Sequence, residues 1–146
     1  MREIKGDMFD RVHEYDAICI TTNGMIKKDG KAVMGAGIAK VCRDKYKGSD
    51  AALANLIERN GNIVQIFGKV GSTYIIAFPT KHNWRDNSSL ELIAQSANQL
   101  EELIEKYKLT NVLLPRPGCT NGKLEWETVK SLIEPILSSR VTIISL

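Results

Sequence analysis

Apolar positions along the chain switch between short continuous runs and longer stretches at helical spacing, a pattern that predicts an α/β fold. Residues 16–22 (Asp-Ala-Ile-Cys-Ile-Thr-Thr) read as a strand, followed by an Asn23-Gly24 turn and a polar loop through Lys27-Lys28-Asp29-Gly30-Lys31. From Gly37 to about Tyr46, Ile38, Val41, Cys42 and Tyr46 recur at helical spacing. Ser49-Asp50 then offers an N-cap for a helix over 51–59, which Asn60-Gly61 stops. Segments 62–70 and 73–79 are expected to pair as a tight hairpin around Gly71-Ser72. The clearest helix follows Ser88-Ser89: Leu90, Ile93, Ala97, Leu100, Leu103, Ile104 and Tyr107 form one stripe, with Glu91, Glu101, Glu102 and Glu105 mostly off it. A strand over 111–115, a helix over 125–137 with Pro135 awkward near its end, and a strand over 141–146 complete the pattern. Buried strands alternating with helices imply a mostly parallel or mixed sheet covered on both faces, with ligands expected at the strand carboxyl ends.

Composition narrows the class. At 146 residues and 43% hydrophobic, without a repeat or long linker, the chain fits one domain over 1–146 with a sizeable core. The net charge of +3 suits an anionic ligand but is too small to argue for broad nucleic-acid binding. Cys19, Cys42 and Cys119 lie far apart and are odd in number, so neither a metal site nor a disulfide framework is expected, and a reducing cytoplasm is the default. The N-terminal residues lack the apolar core of a secretory signal, and no apolar run approaches the roughly 18 residues of a membrane span, so a soluble protein without membrane contact is expected.

Three segments carry candidate chemistry. The run Tyr74-Ile75-Ile76-Ala77 delivers Phe78-Pro79-Thr80-Lys81-His82-Asn83-Trp84-Arg85, placing Lys81 at the mouth of a buried strand. Met34-Gly35-Ala36-Gly37-Ile38 opens a helix, where small residues let a ligand approach backbone amides that have no partner. Gly118-Cys119-Thr120-Asn121-Gly122-Lys123-Leu124 forms a second turn able to hold phosphate as a nest of consecutive N–H groups. Each also has a plainer reading, as close loop packing or an ordinary strand-to-helix turn. Asn23 is both a candidate ligand contact and a frequent turn residue. Lysine on a loop is usually just solvated. His13 and His82 have no spacing that suggests a metal site or a triad, and Trp126 reads as a core position.

Along nearly its whole length the chain resembles a macro domain. The matching features run in family order: Gly6-Asp7-Met8-Phe9, Val33 to Ala39, Ile75 to Trp84, and Leu114 to Trp126. Within the family it is most similar to the branch of terminal ADP-ribose protein glycohydrolases and DNA ADP-ribosyl glycohydrolase antitoxins. Phe-Pro-Thr-Lys with the nearby Trp looks antitoxin-like, and Pro-Arg-Pro-Gly-Cys is common to the branch. The resemblance implies a three-layer α/β/α fold with a mixed central sheet, ADP-ribose as ligand, and no cofactor. It assigns Asp7 to the adenine amino group, Met8 to the ADP-ribose contacts, Asn23 to the distal ribose, and Gly35, Ala36, Gly37 and Ile38 to the distal ribose and a phosphate. Gly118, Cys119, Thr120, Asn121, Gly122 and Lys123 would cradle the diphosphate. Lys81 would act at the anomeric carbon, and Trp84 would contact the modified substrate. The terminal glycohydrolases add an aspartate in the last loop, where this chain has Gly122, and relatives commonly carry glycine at the position of Thr120. The implied activity is removal of ADP-ribosyl groups from a macromolecule, with DNA slightly preferred and contacted through its modified base. Acylated protein, ADP-ribose 1″-phosphate dephosphorylation and binding without turnover stay open as alternatives.

Overall fold

A computed structural model describes all residues, 1–146. Strands β1 (Arg2–Lys5), β2 (Ala17–Thr22), β3 (Gln65–Val70), β4 (Thr73–Pro79), β5 (Val112–Pro115) and β6 (Val141–Ser145) form one sheet in the order β1-β6-β5-β2-β4-β3. All neighbours are parallel except β3 and β4. The helices are α1 (Gly37–Lys45), α2 (Ser49–Asn60), α3 (Leu90–Tyr107) and α4 (Trp126–Ile133), with single 3-10 turns at Met8–Asp10 and Val12–Glu14.

Alternation along the strands divides the interior in two. Cys19, Ile76, Phe78, Val112, Leu114 and Ile143 face α3 and α4, where Ile93, Ala97, Leu100, Ile104, Val129 and Ile133 meet them. Ile18, Ile20, Ile75, Ala77, Leu113 and Ile144 face α1 and α2, against Ala39, Cys42, Leu53 and Ala54. The result is the three-layer sandwich with a mixed sheet that the sequence pattern predicts. Strands buried on both faces explain why 111–115 reads as a continuous apolar run rather than an alternating one.

Local chemistry sets the element ends. Ser89 Oγ accepts from Leu92 N at 3.2 Å and caps α3. Gly71-Ser72 make the expected two-residue hairpin, with Gly71 at φ 59° and Val70 opposite Thr73. A bulge at Phe67 shifts the register between Ile66 and Gly68. Three boundaries differ from expectation. Ser49 and Asp50 lie inside α2 rather than capping it: Gly48, at the left-handed φ of 88°, is the N-cap, and the helix begins two residues earlier. The strand expected from 62 starts at Gln65, since Asn62 instead sends its amide to Lys81 O at 3.1 Å. Helix α4 stops at Ile133 rather than running to 137, consistent with Pro135, which has no N–H to donate.

The amino ends of the strands are tied by Asp16. Its Oδ2 accepts from Thr110 Oγ1 at 2.7 Å and Thr110 N at 2.6 Å, while its own N–H donates to Asn111 Oδ1 at 2.8 Å. The Thr110 hydroxyl and amide together hold the Asp16 carboxyl below its ordinary value of 3.8. A depressed carboxyl contributes stability that is present above the ordinary pKa and lost as pH falls through the lower folded value. Asp16→Asn should therefore lower the melting temperature by about 1–4 °C near neutral pH, a small effect because the group is exposed. The gap between variant and wild type should shrink as pH falls below the ordinary value of 3.8 in thermal melts; a gap independent of pH would discount the ionised carboxylate.

Candidate ligand cleft

The parallel strands deliver their carboxyl ends to one cleft of about 990 Å³, at the upper end of what ligand pockets usually enclose. Thr21 and Thr22 from β2, Thr80 and Lys81 beyond β4, Pro115 and Arg116 at the end of β5, and Ile144 and Ser145 of β6 all line it. The turn before α1 and the loop before α4 close over it from the two sides.

Every residue singled out in the sequence except Lys123 lines this space: Asp7, Met8, Asn23, Gly35, Ala36, Gly37, Ile38, Lys81, Trp84, Gly118, Cys119, Thr120, Asn121 and Gly122. Lys123 adopts a left-handed φ of 62° and is exposed outside the lining. Asp7 Oδ1 accepts from Phe9 N at 2.9 Å and caps the first 3-10 turn, while Oδ2 has no such partner. Asn23 is a loop clamp, its Nδ2 donating to Val33 O at 3.1 Å and its Oδ1 accepting from Met25 N at 3.0 Å.

The glycines separate packing from ligand roles. A Cβ on Gly35 would meet nothing within 4 Å, so close packing does not explain glycine there, whereas an approaching ligand would. Ala36, with extended backbone, precedes α1 and supplies no side-chain cap, leaving the first amides of the helix free at the cleft. Gly37 has φ 58°, and a Cβ there would stand 2.8 Å from Asn121 Nδ2, so the two loops nearly touch. Gly118, at φ 74°, would press a Cβ to 2.8 Å from Ser88 Cβ and 2.9 Å from Ile93 Cδ1. A Cβ on Gly122 would collide with Ser88 Oγ and lie 2.6 Å from Gly118 O. No side chain fits at 122 in this arrangement, and Asp7 is the only carboxylate among the lining residues.

Lys81 Nζ donates to Trp84 O at 3.2 Å and Asp86 O at 3.1 Å, using two of its three donors to fold the following loop back on itself. Its cationic and imidazole neighbours in sequence are turned to other tasks. His82 Nδ1 meets Asn62 Nδ2 at 3.0 Å, and the Arg85 guanidinium lies 5.1 Å over the Trp84 ring. Cys119 Sγ leans on Pro117 O at 3.4 Å, and burial pushes its thiol up, which disfavours a thiolate nucleophile. No group of three or more His, Cys, Asp or Glu side chains is placed to hold a metal ion.

Sequence reasoning missed Arg116 and Ser88. Arg116 brings positive charge to the cleft, lies 4.9 Å over the Trp126 ring and 3.9 Å from Glu3 Oε1, and keeps a buried Nε without a partner. Trp126 is half-buried, packed against the edge of the core as its sequence position predicts, with Nε1 donating to Glu3 Oε1 at 3.0 Å. Ser88 is 8% exposed, its Oγ has no partner, and its N–H donates to Gly122 O at 3.1 Å, joining the Lys81 loop to the last glycine turn. Arg116 sits inside the Pro-Arg-Pro-Gly-Cys motif and directly follows β5, a signal that the strand-end rule could have used. Nothing local marks Ser88.

Strand ends and glycine turns of a three-layer sandwich thus surround one cleft. The chain belongs to the macro domain family, whose profile matches residues 22–133. It is 28% identical over 145 residues to the DNA ADP-ribosyl glycohydrolase of Thermus aquaticus, covering 95% of this chain but only 38% of that protein. It is also 28% identical over 149 residues to the ADP-ribose glycohydrolase OARD1 of Bos taurus, covering 98% of this chain and 90% of that one. Among solved structures, the macrodomain of Mycobacterium tuberculosis DarG superposes with a TM-score of 0.81 at 26% identity, covering 99% of this chain and 97% of that chain. No helix is long and apolar enough to cross a membrane.

Proposed function

We propose that residues 1–146 act as one macro domain that binds ADP-ribose and hydrolyses ADP-ribosyl linkages on a macromolecule, with DNA the preferred carrier. The observation that carries this reading is the cleft that gathers both glycine turns together with Asp7 and Lys81. In this reading the free Asp7 oxygen accepts from the adenine amino group, an acceptor-only role suited to a carboxylate. The α1 amino end and the 118–122 turn hold the diphosphate with backbone N–H groups, and Arg116 adds charge. Lys81 then lies by the distal ribose with one N–H to spare, where its charge stabilises the departing group electrostatically. Water oxygen bonds to the anomeric carbon as the bond from that carbon to the carrier breaks. The bonding pair leaves with the carrier atom, which ends with a proton from the water. No metal or cofactor takes part, and the reading places the chain in the cytoplasm. The names of the relatives in Thermus aquaticus and Bos taurus support hydrolysis, and the first supports DNA.

A reader that binds ADP-ribose without turnover is the second reading, favoured by the absence of a cleft carboxylate near Lys81. Calorimetric titration with ADP-ribose tests the cleft itself. Release assays on an ADP-ribosylated thymidine oligonucleotide, an ADP-ribosyl-glutamate protein and ADP-ribose 1″-phosphate then separate the activities. Turnover of the oligonucleotide is expected; binding with no turnover on any of the three leaves the reader, and no heat with ADP-ribose removes both readings.

A further inference from the structure

Side-chain amides converge on the loop between α2 and β3, although no residue from 60 to 65 lines the cleft. Asn60 Nδ2 donates to Gln65 Oε1 at 2.9 Å, Gln65 Nε2 donates to Gly61 O at 3.1 Å, and Gln99 Oε1 on α3 accepts from Val64 N at 3.0 Å. From this braced loop Asn62 reaches the segment that carries Lys81. Its Nδ2 donates to Lys81 O at 3.1 Å and lies 3.0 Å from His82 Nδ1. A carbonyl can only accept, so the atom facing Lys81 O is the amide nitrogen, and its second hydrogen assigns the accepting role to His82 Nδ1, with the ring proton on Nε2.

The backbone explains why a side chain is needed there. Successive peptide groups of an extended strand turn to opposite neighbours. Beyond the end of β4, Thr80 N donates to Thr22 O at 3.0 Å and His82 O accepts from Gly24 N at 3.1 Å, both on the β2 side. Lys81 O faces the other way, where β3 begins only at Gln65, opposite Ala77. The Asn62 amide stands in for the strand that is missing. Gly24 makes room for it: a Cβ there would lie 2.9 Å from Asn62 Cγ, which accounts for glycine at a position without a positive φ.

We propose that Asn62 is a positioning residue for turnover: it holds the Lys81 peptide from outside the cleft and so fixes the direction in which the lysine side chain leaves the backbone. The bonds from Nζ to Trp84 O and Asp86 O hold the far end of the same side chain, and the remaining N–H is aimed by the two restraints together. This rests on the reading of Lys81 as the electrostatic catalyst, where a misplacement of about 1 Å can cost about 100-fold in rate.

Steady-state release of ADP-ribose, on whichever of the three substrates the wild type turns over, tests the role. Asn62→Ala is expected to lower kcat by about 10- to 100-fold while KM and ADP-ribose affinity stay within about twofold. Gly24→Ala, whose methyl group displaces Asn62, should lower kcat at least about fivefold by the same route. Adding Asn62→Ala to Lys81→Ala should change the residual rate by less than about twofold, because Asn62 acts through the lysine. An unchanged kcat in Asn62→Ala, an equal loss of ADP-ribose affinity, or an undiminished further loss in the Lys81→Ala background would each overturn the positioning role alone. Wild type that binds ADP-ribose but turns over none of the three overturns the hydrolytic reading beneath it, and the role falls with that reading.

Discussion

Lys81→Ala is expected to cut release of ADP-ribose from a modified oligonucleotide by about 100- to 1,000-fold, the usual cost of removing one preorganised electrostatic group. Affinity for free ADP-ribose should stay within about threefold, because backbone amides and Asp7, not Lys81, carry ground-state binding in this reading. The anchoring of Trp84 O and Asp86 O complicates the variant, since Lys81 also shapes its loop. Both carbonyls belong to exposed residues, so water can replace the ammonium and the fold should lose about 1 kcal/mol or less. Lys81→Arg separates the roles: it keeps a charge that can reach the carbonyls but changes the geometry of the donor, so the loop should hold while turnover still falls. Undiminished release by Lys81→Ala would strip the lysine of its catalytic role.

Gly122→Ala is expected to weaken ADP-ribose binding by about 30-fold or more, although it adds one methyl group. The new Cβ would fall on Ser88 Oγ and within 2.6 Å of Gly118 O, so the loop must move, and overpacking of this kind costs about 1–3 kcal/mol. A displaced loop no longer aims its amides at the diphosphate. Adding Ser88→Gly should recover only part of the loss, because the Gly118 carbonyl still stands in the way. The same geometry bears on the missing loop carboxylate: Gly122→Asp should lose binding rather than gain rate, since it would also bury a charge without a partner. Calorimetry on the single and double variants reads the effect, and wild-type affinity for Gly122→Ala would exclude the loop from the ligand cradle.

What was legible in the sequence is what depends on short-range pattern. The α3 stripe from Leu90 to Tyr107 survives as an 18-residue helix because its apolar face meets a sheet along its length. The glycine turns were legible because their residue types are unusual for any other conformation. Gly35 and Gly122 look alike in sequence, yet one faces open space and the other is pressed against Ser88. That distinction arises from contacts between segments more than thirty residues apart, which no local pattern encodes. Ser88 was hidden for the same reason, whereas Arg116 carried a local signal in its place directly after β5. Lys123 shared a motif with the loop, but its left-handed backbone accompanies an exposed residue outside the cleft. Helix α4 was over-extended because apolar spacing continued past Pro135, where a hydrogen-bond donor is missing.

Strand β6 enters the sheet between β1 and β5. Edge strand β1 therefore has no hydrogen-bonded neighbour in the sheet until β6 has been synthesised. Because Ile144 and Ser145 help line the cleft, its wall is also finished last. During translation the growing polypeptide must wait with an unpaired edge at β1, and ligand capture is deferred until Val141–Ser145 has slotted into place.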